Sequence, residues 1–370
     1  MMKKKLGMYI HIPFCRSKCA YCDFYSLADS EEHMDAYVNA LRAAFASAAP
    51  GAKDYEADTV YFGGGTPTLL GEARLCALLD AVRGCFAVTP GAEITFEANP
   101  ESARDEAPLR ALRAAGFNRV SLGMQSADDG ELRAAGRVHT ARDTAEAVGA
   151  LRRAGFDNLS LDLIYGLPGQ SLERWRANLT AAADYGPEHL SCYGLKVEPG
   201  TPLYRRRDTL DLPDDDAQAD MYLAAVEYLA ERGYEQYEVS NFSRPGRESR
   251  HNCKYWTLGE YLGFGPGAHS DFGGRRFALA RDLDAFLAGK RLYSENAVIP
   301  PRERAAERVM LGLRMARGLP EAELRGAEEA LSACAAHGLA QREGERWRLT
   351  ARGFLVSNAI IVRVQEAMGL

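Results

Sequence analysis

The sequence predicts an α/β protein: an incomplete (β/α)6-type parallel barrel followed by a small, mostly helical, winged-helix-like C-terminal domain. Three observations carry this. Six short β-rich runs recur, each trailed by an amphipathic helical stretch; the rhythm stops after Gly200; and beyond Pro300 helices surround one turn-bounded strand, "GERWRLT". Strand–helix alternation implies parallel strands with covering helices.

The six runs are Met8–Ile12, Asp58–Gly64, Glu93–Asn99, Asn118–Gln125, Leu159–Pro168 and His189–Gly200. Their near-continuous apolar character fits strands buried on both faces. Between them, "HMDAYVNALRAAFASA" and "ARLCALLDAVRGCF" place apolar residues three and four apart, the period of a helix face. These units set a barrel domain over residues 1–235. Within it "TPLYRRRDTLDLPDDDAQ" reads as a polar loop leading into a helix from about Asp216 to Arg232. Residues 236–299, irregular and rich in Gly and aromatics as far as Phe277, read as a connecting segment, and residues 300–370 as the C-terminal domain. From Pro300 onward 11 Arg stand against 9 Glu, with neither Lys nor Asp. That balance is too mixed for a surface that tracks phosphates, so no nucleic-acid partner is expected.

A chain of 370 residues with 46% hydrophobic and 26% charged residues is of ordinary globular composition. A net charge of −6 and a pI near 5.8 also argue against a broad nucleic-acid footprint. Lys3, Lys4 and Lys5 are followed by a stretch broken by Gly7, His11 and Pro13, so no signal-peptide core is expected. No apolar run approaches the ~18 residues of a membrane span, which leaves at most transient membrane association. The expected compartment is the cytoplasm, where cysteines stay reduced and a tight cluster of them reads as metal-binding.

In (β/α) barrels reacting groups gather at the C-terminal ends of the strands. Polar residues fall there in strand after strand: "GGGTPT" after the second, Glu97 and Asn99 at the third, Gln125 at the fourth. Asp162 lies amid Leu161, Leu163 and Ile164, where a carboxylate is costly unless bonded.

After the first strand come Cys15, Cys19 and Cys22, with no further cysteine until Cys76. Their spacing would suit one face of a core helix, although Pro13 favours a loop. With His11 they would make a Cys₃His zinc site. As three ligands of a [4Fe–4S] cluster they would leave one iron without a protein ligand, which gives the missing fourth ligand a purpose.

This C-x₃-C-x₂-C pattern, with Tyr21 before its last cysteine, resembles that of the radical S-adenosylmethionine (SAM) superfamily. The resemblance implies a [4Fe–4S] cluster on Cys15, Cys19 and Cys22, with SAM chelating the open iron. "YIHIPFC", "YFGGGTPT", "FEANPE", "SLGMQS", "GRVH" and "LDLIYGLPGQ" together resemble the coproporphyrinogen dehydrogenase group over nearly the whole chain. It implies that Tyr9, Gly64, Gly65, Thr66, Glu97, Gln125, Arg137 and Asp162 line the SAM site. Carboxylates there suit ribose hydroxyls or an ammonium, and Arg137 suits a carboxylate.

Decarboxylating members of that group carry a further cysteine two residues after the third ligand, where this chain has Phe24, and an N-terminal extension where eight residues precede Tyr9. "RHNCKYW" instead resembles the H-N-x-x-Y-W signature of HemW-type heme chaperones, which bind heme and deliver it to acceptor hemoproteins. The resemblance implies His251 as an axial ligand, with Tyr255 and Trp256 as flat contacts for the porphyrin. Cys253 and His269 are rival ligands. The alternative expectation is a radical SAM enzyme acting on a porphyrin, as a coproporphyrinogen III dehydrogenase or a heme-modifying methyltransferase. SAM cleavage would add an electron donor to the partners.

Overall fold

The structure is a computed structural model that describes residues 3–28 and 30–370. Strands β1 (Lys4–Ile12), β2 (Tyr55–Gly64), β3 (Val88–Ala98), β4 (Arg119–Gln125), β5 (Leu159–Tyr165) and β6 (His189–Gly194) pair in that order, each parallel to the next. This is the expected barrel wall. The first strands begin earlier than their apolar runs because polar residues there still pair in register, as in Lys4↔Tyr55 and Lys5↔Glu56. β5 stops sooner than expected, at a turn where Gly166 takes a φ of +79°.

Both faces of the strands are covered, but they differ in character. Alternate residues such as Ile10, Val60, Phe62, Phe96 and Leu161 are fully buried on the outer face, where the covering helices Met34–Ala48, Glu72–Cys85 and Ala141–Arg153 add Phe45, Leu78 and Leu151. Phe62 and Phe96 both meet Phe117 on that side, at ring-centre distances of 5.3 and 5.5 Å. The inner row is polar instead: Thr59, Glu93, Thr95, Ser121 and Ser160 are all buried. A period-two alternation is therefore present, with its polar half turned inward.

Residues 236–299 belong to the same sheet. β7 (Glu235–Gln236) and β8 (Asn241–Ser243) extend it antiparallel beyond β6. β9 (Tyr261–Phe264) pairs parallel with β1, and β10 (His269–Phe272), β11 (Arg275–Leu279) and β12 (Tyr293–Val298) continue as an antiparallel meander. The helix Arg250–Trp256 connects one flank of this open sheet to the other. β1 is thereby an interior strand.

In the C-terminal domain β13 (Leu319–Pro320), β14 (Ala340–Glu343) and β15 (Arg346–Leu349) form a small antiparallel sheet. With helices Pro301–Gly312, Glu328–Ala336 and Ser357–Ala367 they make the expected winged-helix-like unit. Its separate core of Val309, Leu331, Trp347, Ile360 and Val364 also takes in Tyr222 from the barrel's last helix. Arg304 crosses the junction to the Asp271 carboxylate at 2.6 Å, which Arg276 of the neighbouring strand shares at 2.9 Å. Among the described residues no helix is long and apolar enough to cross a membrane.

Candidate functional site

The loop after β1 carries the three cysteines and is tied at base and crest. At its base Cys15 N donates to the Leu27 carbonyl at 2.9 Å, and Leu27 N to the Pro13 carbonyl at 2.6 Å. At its crest Ala20 N donates to the Ala135 carbonyl at 3.0 Å, and Ala20 O accepts from Leu203 N at 2.8 Å. No helix runs through the cysteines, so they are not one face of a core helix. All three are half-buried free thiols. Burial raises the pKa of Cys15 and Cys22. Cys15 Sγ accepts from the Thr66 hydroxyl at 3.7 Å and Cys19 Sγ from Arg137 Nη1 at 3.4 Å.

His11 is committed elsewhere. Its Nδ1 lies 3.0 Å from the Tyr9 hydroxyl and its Nε2 2.8 Å from the Tyr25 carbonyl, and burial holds its pKa down at about 4. No ring nitrogen is left for zinc. Among the described residues no three Cys, His, Asp or Glu side chains converge on a single-ion position either. Thiolates that each bind a different iron need no common centre, so the donor set fits a cluster with one iron free of protein ligands.

Gly64 and Gly65 bring the end of β2 against β1 and the start of the cysteine loop. Gly64 has a φ of +112°, and a side chain there would strike the His11 ring. A Cβ on Gly65 would lie 2.6 Å from the Phe14 carbonyl oxygen. The close approach these glycines permit is to the chain itself. Gly65 N and Thr66 N donate to the Ile12 and Phe14 carbonyls at 2.8 and 2.7 Å, which fixes the loop against β2.

The polar groups at the strand ends are bonded to one another. Glu97 accepts from Gly64 N and from the Tyr61 hydroxyl, both at 2.9 Å, while burial pushes its pKa up to about 7. Arg137 Nη2 donates to Asn99 Oδ1 at 2.7 Å and to the Gly123 carbonyl at 3.0 Å. Gln125 ends β4 with a φ of +63°, strained for a residue with a Cβ, beside a register shift between β4 and β5. Asp162 sits deeper. Ser121, Ser160 and Ser191 donate to it at 2.9, 3.3 and 2.7 Å, and burial raises its pKa. Below it Arg119 is fully buried with its Nε unpartnered.

The helix Arg250–Trp256 closes the other end of this interior. Glu93 caps it, accepting from Arg250 N and His251 N at 3.0 Å each. Lys254 pairs with Asp58 at 2.7 Å. His251 points inward, 1% exposed, with Nδ1 2.8 Å from Thr59 Oγ1 and Nε2 2.8 Å from the Tyr255 hydroxyl. Its ring stacks on Tyr61 at 5.1 Å, and burial lowers its pKa to about 3. Thr59 lies five positions below Gly64 in β2, roughly 16 Å at the rise of a strand, so His251 is remote from the cysteine loop. The HNxxYW histidine therefore stands in the interior with both nitrogens occupied. Trp256 and Cys253 are half-buried, and burial raises the Cys253 pKa to about 11. His269 is exposed at the start of β10, with Glu295 3.9 Å from its Nδ1.

Sequence reasoning missed Thr59, Tyr61, Glu93 and Arg119. The inward row of alternate polar residues was the signal that would have found them.

Residues 9–181 match the radical SAM superfamily, and residues 299–356 the HemN C-terminal domain. A Mycobacterium tuberculosis protein named heme chaperone HemW is 41% identical over 371 residues, covering 98% of this chain and 95% of its own. The Escherichia coli heme chaperone HemW is 35% identical over 96% of this chain and 97% of its own length. In fold the chain is similar to coproporphyrinogen III oxidase (HemN) from Escherichia coli, with a TM-score of 0.85 at 24% identity, covering 99% of this chain and 91% of that one. The chain belongs to the HemW family of the radical SAM superfamily.

Proposed function

We propose that this protein is a heme chaperone, which binds heme and passes it to acceptor hemoproteins while carrying a [4Fe–4S] cluster and a SAM site. The observation that carries this reading is the near end-to-end similarity to relatives named for that role. Phe24 supports it: an aromatic ring, 67% exposed, stands where decarboxylating relatives would place a thiol. The protein acts in the cytoplasm, where its cysteines stay reduced.

Cys15, Cys19 and Cys22 would hold the cluster, which when bound would supply single electrons to SAM. Arg137, Thr66 and Gln125 would contact SAM from neighbouring strand ends. Tyr9 and Glu97 form the floor beneath, and Gly64 and Gly65 let β2 approach closely enough to complete it. Asp162 acts from the deeper serine-lined layer. Heme binds at the segment of His251, Tyr255 and Trp256, with His251 reaching iron once Tyr255 leaves its Nε2. Cys253 and the exposed His269 are the competing ligands.

An enzyme acting on a porphyrin is the second reading, favoured by the polar interior beneath the cysteine loop. Anaerobic incubation with coproporphyrinogen III, SAM and a one-electron donor separates the two. A carrier leaves the tetrapyrrole unchanged and transfers added heme to an apo-hemoprotein; formation of protoporphyrinogen would make the protein an enzyme.

A further inference from the structure

Asn99 follows β3 and is half-buried beneath the cysteine loop. Its two amide ends meet different partners. Oδ1 accepts from Arg137 Nη2 at 2.7 Å, and Nδ2 donates to Thr66 Oγ1 at 2.9 Å. Those partners are the side chains that donate to cluster cysteines: Thr66 Oγ1 to Cys15 Sγ at 3.7 Å, and Arg137 Nη1 to Cys19 Sγ at 3.4 Å. The five residues form one hydrogen-bonded chain, Cys15–Thr66–Asn99–Arg137–Cys19.

The direction of every bond in it is determined. A guanidinium has only donors, so the amide oxygen must face Arg137 and the amide nitrogen must face Thr66. A hydroxyl that accepts from this nitrogen keeps its single proton for another acceptor. The acceptor in reach is Cys15 Sγ. Asn99 thus sets which way the Thr66 proton points, and tethers Arg137 beside Cys19.

We infer that Asn99 is a positioning residue which aims the hydrogen-bond donors of two cluster cysteines. The inference rests on the cluster assignment above. Hydrogen bonds to the sulfurs help set the reduction potential of an iron–sulfur cluster, and they favour the reduced form because it carries the greater negative charge. Asn99 also heads the turn that follows: Ser102 Oγ donates to the Asn99 carbonyl at 2.8 Å and accepts from Asn99 N at 3.3 Å, and the Asn99 side chain completes this capping box by accepting from the Ser102 backbone. Aspartate keeps this cap and Ser102→Ala weakens it, so the bonds to Thr66 and Arg137 can be tested apart from the turn.

Aspartate at this position has the shape of asparagine and no donor. It would still accept from Arg137, but it would draw the Thr66 proton to itself and away from Cys15, and it would add a charge. The test uses full-length wild-type, Asn99→Asp, Asn99→Ala and Ser102→Ala proteins, each reconstituted anaerobically. Iron content, an EPR-monitored redox titration and the melting temperature of the cluster-free protein are measured for each. All four should retain the cluster. Asn99→Asp should be harder to reduce by about tenfold in the equilibrium, ~59 mV for one electron, with Asn99→Ala shifted less in the same direction. Ser102→Ala should melt lower and keep the wild-type potential. A wild-type potential in Asn99→Asp, or an equal shift in Ser102→Ala, would overturn the positioning role and leave the cluster assignment standing. Wild-type protein that assembles no cluster would overturn both.

Discussion

The Tyr255 hydroxyl and His251 Nε2 lie 2.8 Å apart inside the protein, one helical turn from each other. This bond occupies the nitrogen that an iron ligand would need. Tyr255→Phe keeps the ring packed at 5.2 Å from His251 and removes only the hydroxyl. If His251 ligates heme, the variant should bind heme about two- to tenfold more tightly, since a net hydrogen bond of ~0.5–1.5 kcal/mol no longer has to be broken. Unchanged affinity in a Soret titration would move the ligand to His269 or Cys253.

His251→Ala is a poorer probe of ligation than the sequence motif suggests. It removes a fully buried ring, its stacking on Tyr61 and its bond to Thr59. Denaturant unfolding of the heme-free variant should show a loss of ~2–4 kcal/mol. Wild-type stability in this variant would contradict the burial described.

Cluster formation should depend on Cys15, Cys19 and Cys22 alone. Alanine at any of the three should abolish the brown chromophore and the bound iron. Alanine at Cys76, Cys85, Cys192 or Cys334 should retain both, because these thiols lie against the hydrophobic cores. Iron and absorption spectra of each variant decide the matter, and a chromophore surviving loss of Cys19 would contradict the ligand set.

Glu97 makes a pH prediction with a definite sign. Its pKa stands at about 7 against an ordinary 4.5, so the fold favours its protonated form. The corresponding stability is present below about pH 4.5 and is lost as pH rises through about 7. Glu97→Gln removes this slope. The buried His11 and His251, with lowered pKa values, impose the opposite slope below their ordinary 6.5, so variant and wild type must be compared at each pH. In urea unfolding the variant should gain on wild type as pH rises from ~5 to ~8. A gap independent of pH would contradict the raised pKa.

Gln125 holds a left-handed backbone that costs a residue with a Cβ ~1–2 kcal/mol. Gln125→Gly should stabilise the ligand-free protein by up to ~1 kcal/mol, after the entropy cost of glycine. It should also weaken SAM binding in calorimetry. Unchanged SAM affinity would mean that the strain serves only the irregularity between β4 and β5.

The six parallel strands were legible because their apolar outer row packs under helices of ordinary amphipathic pattern. The inward row was harder to read, since burial on both faces hides which polar residues share a side. Asp162 illustrates this. Its isolation among leucines signalled a bonded carboxylate, but two of its three serine donors come from neighbouring strands and reach it only through the sheet register. The strands from Tyr261 to Val298 escaped notice because β9 is four residues long and pairs with β1, far away in sequence. His251 looked like an available ligand because a motif records spacing and leaves depth unspecified. Its burial depends on Thr59 and Glu93, more than 150 residues earlier.

A heme titration of the cluster-reconstituted protein tests the chaperone reading most directly. Heme added anaerobically to the wild-type protein should give a saturable Soret band distinct from that of free heme, and the loaded protein should then lose that band to an added apo-hemoprotein. Absorption that rises in proportion to added heme without saturating, at the position of free heme, would contradict the account.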